Sequence, residues 1–218
     1  MNTEAQFEAQ FEAYMAHKVS ADPAHDIVHV KRVVAMARLL AQQEQAEQEV
    51  VIPAAWLHDC ITFPKNAGNN HEASRLAADE AISFLKTLNY PDRYYDAIHH
   101  AILVHSYSAG IAAETLEARI VQDADRLDAL GAVGISRCML VGGALHLSLY
   151  NPLDAFCEHR EPTDSEFVLD HFFKKLLGLA DGLHTATARQ EASRRVDFMR
   201  QYLKELRREL SLSNGHDE

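Results

Sequence analysis

His58 and Asp59 stand side by side directly after the apolar stretch Ala54-Ala55-Trp56-Leu57. Neighbouring side chains on a helix point about 100° apart, yet an imidazole and a carboxylate are both long enough to converge on one ion. Burying the two groups without such a partner would cost several kcal/mol or force them to neutralise. A divalent cation removes that cost by satisfying both. The plainer reading is a helix end, with His58 meeting the terminal carbonyls and Asp59 capping the segment that follows. The dipeptide alone does not choose between them, since His25-Asp26 and His216-Asp217 repeat it elsewhere.

Two further elements could complete a metal site. His29 lies between Val28 and Val30, four residues after His25, so the two histidines share a helix face and either could ligate. Asp26, three residues before His29, could orient its second ring nitrogen, as carboxylates do behind metal-bound imidazoles. The ordinary alternative for His29 is a hydrogen-bonded core histidine. The run Gln122-Asp123-Ala124-Asp125-Arg126-Leu127-Asp128 places three carboxylates within six residues of a helical pattern. Asp125 and Asp128 share a face, so one could bind an ion and the other support it. A solvated acidic face is the alternative, and charge pattern alone favours it.

The elements that must position these groups are helices, because strand signals are scarce and 3–4 periodicity is nearly continuous. Asp22-Pro23 predicts a helix start, with Asp as N-cap and Pro at the first position, followed by Ile27, Val30, Val34, Ala37 and Ala41. A second helix enters near Pro53 and delivers His58-Asp59. Residues 61–70, with Pro64, Gly68 and Asn69-Asn70, read as a loop. Ala73, Leu76, Ala77, Ala81, Phe84, Leu85 and Leu88 form the next stripe, and Tyr94, Ile98, Ala101, Ile102 and His105 the one after it. Leu116, Ile120, Ala124 and Leu127 place the Asp-rich run inside another helix, and Gly131, Gly134, Gly142 and Gly143 flank a further one. Residues 150–164 hold Pro152 and Pro162 and read as a long surface loop, a common place for function. The last helix spaces Ala192, Val196, Met199, Leu203, Leu206 and Leu210 as one stripe, to be packed on the core or paired in a coiled-coil homodimer. Too few heptads are present for the second to be preferred. The expectation is one all-α domain over residues 1–210 and a frayed tail over 211–218.

The order of these groups resembles the HD superfamily of metal-dependent phosphohydrolases: His29 in HVKRV, His58-Asp59 after AAWL, then QDADRLDALG. The contexts AHDIVHVKRV, HSYSA and EHREPTD…DHFFKKLLGL are similar to its small single-domain bacterial branch. The resemblance implies a helical bundle, the HD domain, in which His29, His58, Asp59 and Asp125 bind a divalent ion, whether Mn, Mg, Fe, Co or Ni. Asp125 is chosen over Asp123 by matching ADRL to the last Asp motif of the family. Some branches add a carboxylate soon after the His-Asp pair, whereas here none occurs before Glu72. Glu72 and His105 are therefore the candidates for the general acid or base. His99, His100 and His105 also raise a second metal, with helix-surface or core histidines as the favoured alternative. Lys65, Arg126, Arg160 and Lys175 are the cations placed to meet phosphate.

Composition narrows the function classes. Hydrophobic residues make up 47% and charged ones 24% of 218 residues, enough to bury a core without disulfides. The net charge of −11 argues against gripping a nucleic-acid backbone, which needs clustered cations. No apolar run reaches the roughly 18 residues of a membrane span, and the N-terminus lacks a secretory apolar segment. Cys60, Cys138 and Cys157 are odd in number and widely spaced, as reduced thiols of a cytoplasmic protein would be. The expectation is a cytoplasmic metal-dependent phosphohydrolase acting on a small phosphorylated metabolite, most of all a nucleotide, as a monoester or a triphosphate anhydride. Its rivals are a di-iron oxygenase of the same fold and a non-catalytic nucleotide sensor.

Overall fold

The segment leading to His58-Asp59 folds as a helix over Gln48–Leu57 (α3), and in the computed structural model every residue from Val50 to Leu57 is buried. The structure describes residues 3–18, 26–63, 70–106 and 110–213; among them no strand forms, and an isolated bridge joins Ser148 to Phe167. Around α3 the order is α1 (Glu4–Lys18), α2 (Ile27–Glu44), α4 (Asn70–Thr87), a 3₁₀ turn (Asp92–Tyr94) and α5 (Tyr95–Leu103). Then come α6 (Leu116–Asp128), α7 (Gly131–Ala144), α8 (Asp170–Lys174), a 3₁₀ segment (Leu176–Gly182) and α9 (Ala186–Ser213). The fold class is all-α, as the periodicity predicts.

Two helix starts differ from expectation. Asp22-Pro23 lies outside the described residues, and α2 begins at Ile27 behind Asp26, whose carboxylate accepts the backbone N–H of His29 at 2.8 Å. Pro53 sits inside α3 instead of opening it. A proline there cannot donate to the carbonyl four residues back, which belongs to Glu49. The Tyr90 hydroxyl donates to that carbonyl at 2.6 Å and supplies the missing bond.

The chain groups into two compact units, Met1–Leu127 with His184–Ala188, and Asp128–Leu183 with Arg189–Glu218. In the first, α3 packs against α1, α2, α4 and α5, and α4 packs against α5. Val30, Val33 and Leu40 of α2, Ala77 and Leu85 of α4, Ile98 and Ile102 of α5, and Ile120 and Leu127 of α6 are all buried. In the second unit, α7 carries Gly142 against Val168, where an added Cβ would come within 2.3 Å of a Val168 methyl. Residues 150–164 form no helix, yet they are closely tied. The Asp154 carboxylate accepts the backbone N–H groups of Glu158 and His159 at 3.0 and 2.8 Å. Arg160 forms a two-pronged pair with the buried Asp170 at 2.5 and 2.7 Å. On α9, Ala192, Val196, Met199 and Leu203 are buried, so the stripe packs within the chain, and the helix runs to Ser213. Residues 214–218 lie outside the described residues.

The proline of α3 generates a stability prediction. Tyr90→Phe leaves the Glu49 carbonyl unpaired and is expected to cost about 1–3 kcal/mol in urea unfolding. Pro53→Ala restores an N–H to the same carbonyl. In that background Tyr90→Phe should cost about 1 kcal/mol less, read as a double-mutant coupling. Strict additivity of the two substitutions would show that the hydroxyl does not replace the proline's missing donor.

Candidate metal centre

Four helices of the first unit bring five side chains together. His29 comes from α2, His58 and Asp59 from the C-terminal end of α3, His105 from just beyond α5, and Asp125 from α6. His29 Nε2 lies 3.5 Å from Asp125 Oδ1 and 3.9 Å from Asp59 Oδ2. His58 Nε2 lies 3.5 Å from Asp59 Oδ2 and 4.0 Å from Asp125 Oδ1. His105 Nε2 lies 3.4 Å from Asp59 Oδ1. The ligand atoms of His29, His58 and Asp125 fall within 4.8 Å of one another, as do those of His58, Asp59 and His105.

The protonation of His58 follows from its neighbours. Its Nδ1 is 2.8 Å from the carbonyl of Ala55, and a carbonyl only accepts, so the ring proton sits on Nδ1. Burial pushes the His58 pKa down, with the nearby His105 and His29 acting in the same direction against Asp59 and Asp125. The ring is thus neutral, and Nε2 presents a lone pair. That lone pair is fully buried, has no hydrogen bond among the described residues, and faces two carboxylates. Electron-rich atoms aimed at one another inside a protein repel, and an unpartnered buried nitrogen is costly. A divalent cation between them turns each of these costs into a bond, and a set of imidazoles and carboxylates is what borderline and hard divalent ions accept. The residues fit a metal.

His105 repeats the pattern with a different outcome. Its Nδ1 donates to the carbonyl of Ile102 at 2.7 Å. Burial works to lower its pKa, but the hydrogen bond and charge of Asp59 outweigh burial and raise it. His58 offers one nitrogen only, because the other is held by Ala55. It can therefore serve one ion, and the two groupings are overlapping descriptions of one cluster around it.

The neighbouring acids of α6 have other work. Asp123 is completely buried and accepts the backbone N–H groups of His184 and Thr185 at 2.9 and 2.8 Å and the Thr185 hydroxyl at 2.9 Å. Asp128, which the sequence placed beside Asp125 as a supporting acid, pairs with Arg137 at 2.9 Å. Asp26, expected behind the His29 ring, binds the His29 backbone instead.

The remaining candidates are dispersed. Glu72 stands in the first turn of α4, 3.8 Å from Arg75. His99 binds Asp79 at 3.0 Å, and the His100 ring accepts the Glu114 N–H at 3.3 Å, so neither joins the cluster. Arg126 is half-buried next to Asp125, Arg160 is held by Asp170, and Lys175 is exposed at the end of α8. Lys65 lies outside the described residues. Gln122, which sequence reasoning left without a role, is buried one turn before Asp125; a polar residue among Ile120, Val121 and Ala124 was its only signal.

A model of the HD domain matches residues 26–130, the segment that holds all five clustered side chains. YpgQ of Bacillus subtilis is 34% identical over 190 residues, covering 85% of this chain and 84% of that protein. The crystal structure of Bacillus subtilis YpgQ in complex with ADP matches with a TM-score of 0.73 and 32% identity, over 92% of this chain and 96% of that one. An HD-superfamily hydrolase from Bacillus thuringiensis matches with a TM-score of 0.75 and 30% identity, over 96% and 99% of the two chains. With a shared sequence over most of its length and the histidines and aspartates of the motif gathered at one point, the chain belongs to the HD superfamily of hydrolases.

Proposed function

We propose that the chain is a metal-dependent phosphohydrolase acting on a small phosphorylated metabolite, with a nucleotide as the first class to test. The observation that carries this reading is the buried Nε2 lone pair of His58, facing Asp59 and Asp125 without a hydrogen bond. His29, His58, Asp59 and Asp125 would hold one divalent ion, and Mn, Mg, Fe, Co and Ni all remain compatible with that donor set. Such an ion supplies Lewis acidity toward a phosphoryl oxygen and lowers the pKa of a water beside it. The ADP held by the YpgQ structure supports the nucleotide class. The net charge of −11 supports a short anion over a long one.

The side chains divide the remaining work. The Nδ1–H bond to Ala55 stops the His58 ring from turning and leaves Nε2 as the unprotonated nitrogen. Asp59 directs Oδ2 toward His58 and His29 and Oδ1 toward His105. His105 has Nδ1 engaged at Ile102, so Nε2 is where it would hold or release a proton, and we assign it the acid–base role. Arg126 and Lys65 are the cations this reading keeps for phosphate. Arg160 would have to leave the buried Asp170 to serve there, Glu72 stands beside Arg75 in the first turn of α4 and Lys175 is exposed at the end of α8, so this reading does not rely on them. The three cysteines are odd in number and widely spaced in the sequence, a pattern that supports a reducing, cytoplasmic setting. Among the described residues no single helix is long and apolar enough to cross a membrane.

Phosphate release across nucleotides and phosphosugars, with Mn²⁺, Mg²⁺ and Co²⁺ in separate runs, tests the activity. Turnover of none of them by metal-loaded protein, with nucleotide still bound, would favour the sensor. Two irons per chain would favour the oxygenase. His58→Ala and Asp59→Ala are each expected to lose bound metal and hydrolysis while keeping far-ultraviolet circular dichroism, because a helical core of this size does not depend on one ion. Normal metal content in either variant removes it from the site.

Asp125 and Asp123 should separate cleanly. Asp125→Ala is expected to lose metal with little loss of stability. Asp123→Ala is expected to keep metal and lose about 3 kcal/mol, since it breaks several bonds to a buried carboxylate. Metal analysis and urea unfolding on both variants check this, and the reverse pairing would move the ligand two residues back along α6, to its other face.

A further inference from the structure

The peptide joining Val104 to His105 is held at both of its polar atoms. Its N–H, on His105, donates to the Ile102 carbonyl at 3.3 Å. Its C=O, on Val104, accepts from Gln122 Nε2 at 2.9 Å in a buried bond. A peptide unit is planar, so fixing both polar atoms fixes the plane that ends at the His105 Cα, the point from which its side chain leaves the backbone. Val104 is also the C-cap of α5, where carbonyls lack helical partners, and Gln122 satisfies this one from another helix.

The orientation of Gln122 is itself determined. An amide can face either way, but its NH₂ must be toward Val104 because a carbonyl cannot donate. Oε1 then faces His184 Nε2 at 2.5 Å and can only accept, so His184 carries a proton on Nε2. The backbone N–H of His184 is in turn fixed on Asp123, the residue after Gln122, at 2.9 Å. Residues 122–123 and 184–185 thus hold each other through side chain and backbone. Gln122 is three positions before Asp125 on α6, and Asp125 faces His29 across 3.5 Å. One helix therefore sets a metal-facing carboxylate and the backbone that aims His105.

We propose that Gln122 is a positioning residue for His105 and that His184, through its Nε2–H, holds Gln122 in the working orientation. The proposal rests on the assignment of His105 as the acid–base group. In it, the bond series His184 → Gln122 → Val104 carbonyl is directional, and each donor is needed to keep the next one pointed correctly. Neither residue touches the ion or the substrate. Both act on how well the proton-carrying nitrogen is placed, a factor to which rates are sensitive at sub-ångström scale.

The test compares Gln122→Leu, His184→Leu and His184→Gln with the wild type. His184→Leu guards against misfolding, because the backbone bond of residue 184 to Asp123 does not need the ring. Metal content, kcat and KM are measured on the best substrate of the screen. The ring-nitrogen spectrum of ¹⁵N-histidine-labelled protein is recorded alongside, with the His105 signal identified by its loss in His105→Gln. Both leucine variants are expected to keep metal and hold KM within about twofold while kcat falls about tenfold or more. The His105 Nδ1 signal should move in both. His184→Gln, whose amide reaches the place of Nε2, should recover kcat and the signal. Wild-type kcat with an unmoved His105 signal in both leucine variants overturns the proposal. If the wild type hydrolyses nothing, the functional reading fails on its own, and the His105 signal still decides the positioning: moved in the variants it stands, unmoved it falls.

Discussion

The hydrogen bond from His58 Nδ1 to the Ala55 carbonyl is the constraint on which the rest of the site depends. A helix end leaves carbonyls without partners, and this ring answers one of them. The same bond decides which nitrogen carries the proton and leaves the other as a lone pair pointed at Asp59 and Asp125. The two readings that His58 admits from sequence, helix terminator and metal ligand, are therefore not rivals. Each uses a different nitrogen. His105 does the same at the end of α5, reaching back three residues to Ile102 as His58 reaches back three to Ala55. Two helix ends are closed by histidines whose outer nitrogens meet at Asp59. What distinguishes them is charge: burial dominates at His58 and lowers its pKa, while Asp59 prevails over burial at His105 and raises it.

Holding those nitrogens still requires a rigid α3. Burial on every side provides that, but burial also makes any unpaired backbone group expensive. Pro53 creates such a group at Glu49, and Tyr90 removes it. On α6 the acids divide the labour by their angle around the helix. Asp125 faces the histidines, while Asp123, two positions earlier and roughly 200° round, turns to the backbone of residues 184–185. A helix can present a ligand and anchor itself with the same residue type because successive positions look in different directions.

Much of this was legible in the chain. The order of His29, His58, Asp59 and Asp125 resembled the HD pattern and through that resemblance implied one cluster, while apolar periodicity pointed to the helices that carry it. What could not be read were contacts made by residues distant in sequence. Nothing near Pro53 announces a hydroxyl arriving from Tyr90, so a proline inside a helix looked like its start. Asp26 was expected behind the ring of His29, but a side chain at the N-cap is short and meets the third backbone N–H first, which is that of His29 itself. Arg160 in a proline-bearing loop had the look of an anion binder. Its carboxylate partner is Asp170, a fully buried acid whose pKa burial would raise and which Arg160 and the Thr163 N–H hold low instead.

That last point bears on how so acidic a chain could attract phosphate. Several guanidinium groups are already occupied by carboxylates: Arg38 by Glu4 and Glu8, Arg137 by Asp128, Arg160 by Asp170 and Arg195 by Glu191. Charge paired inside the fold gives little long-range pull, because a dipole's field falls off faster than that of a single charge and salt screens what remains. The cluster itself sets two carboxylates, Asp59 and Asp125, beside a His58 ring that burial keeps neutral, an arrangement that by itself does not draw an anion. On the proposed reading, an ion held there would reverse the sign where a phosphoryl group would sit. On the same reading, a preference for short phosphorylated substrates would come from the acidic exterior, which disfavours polyanions, together with the charge a bound ion would add.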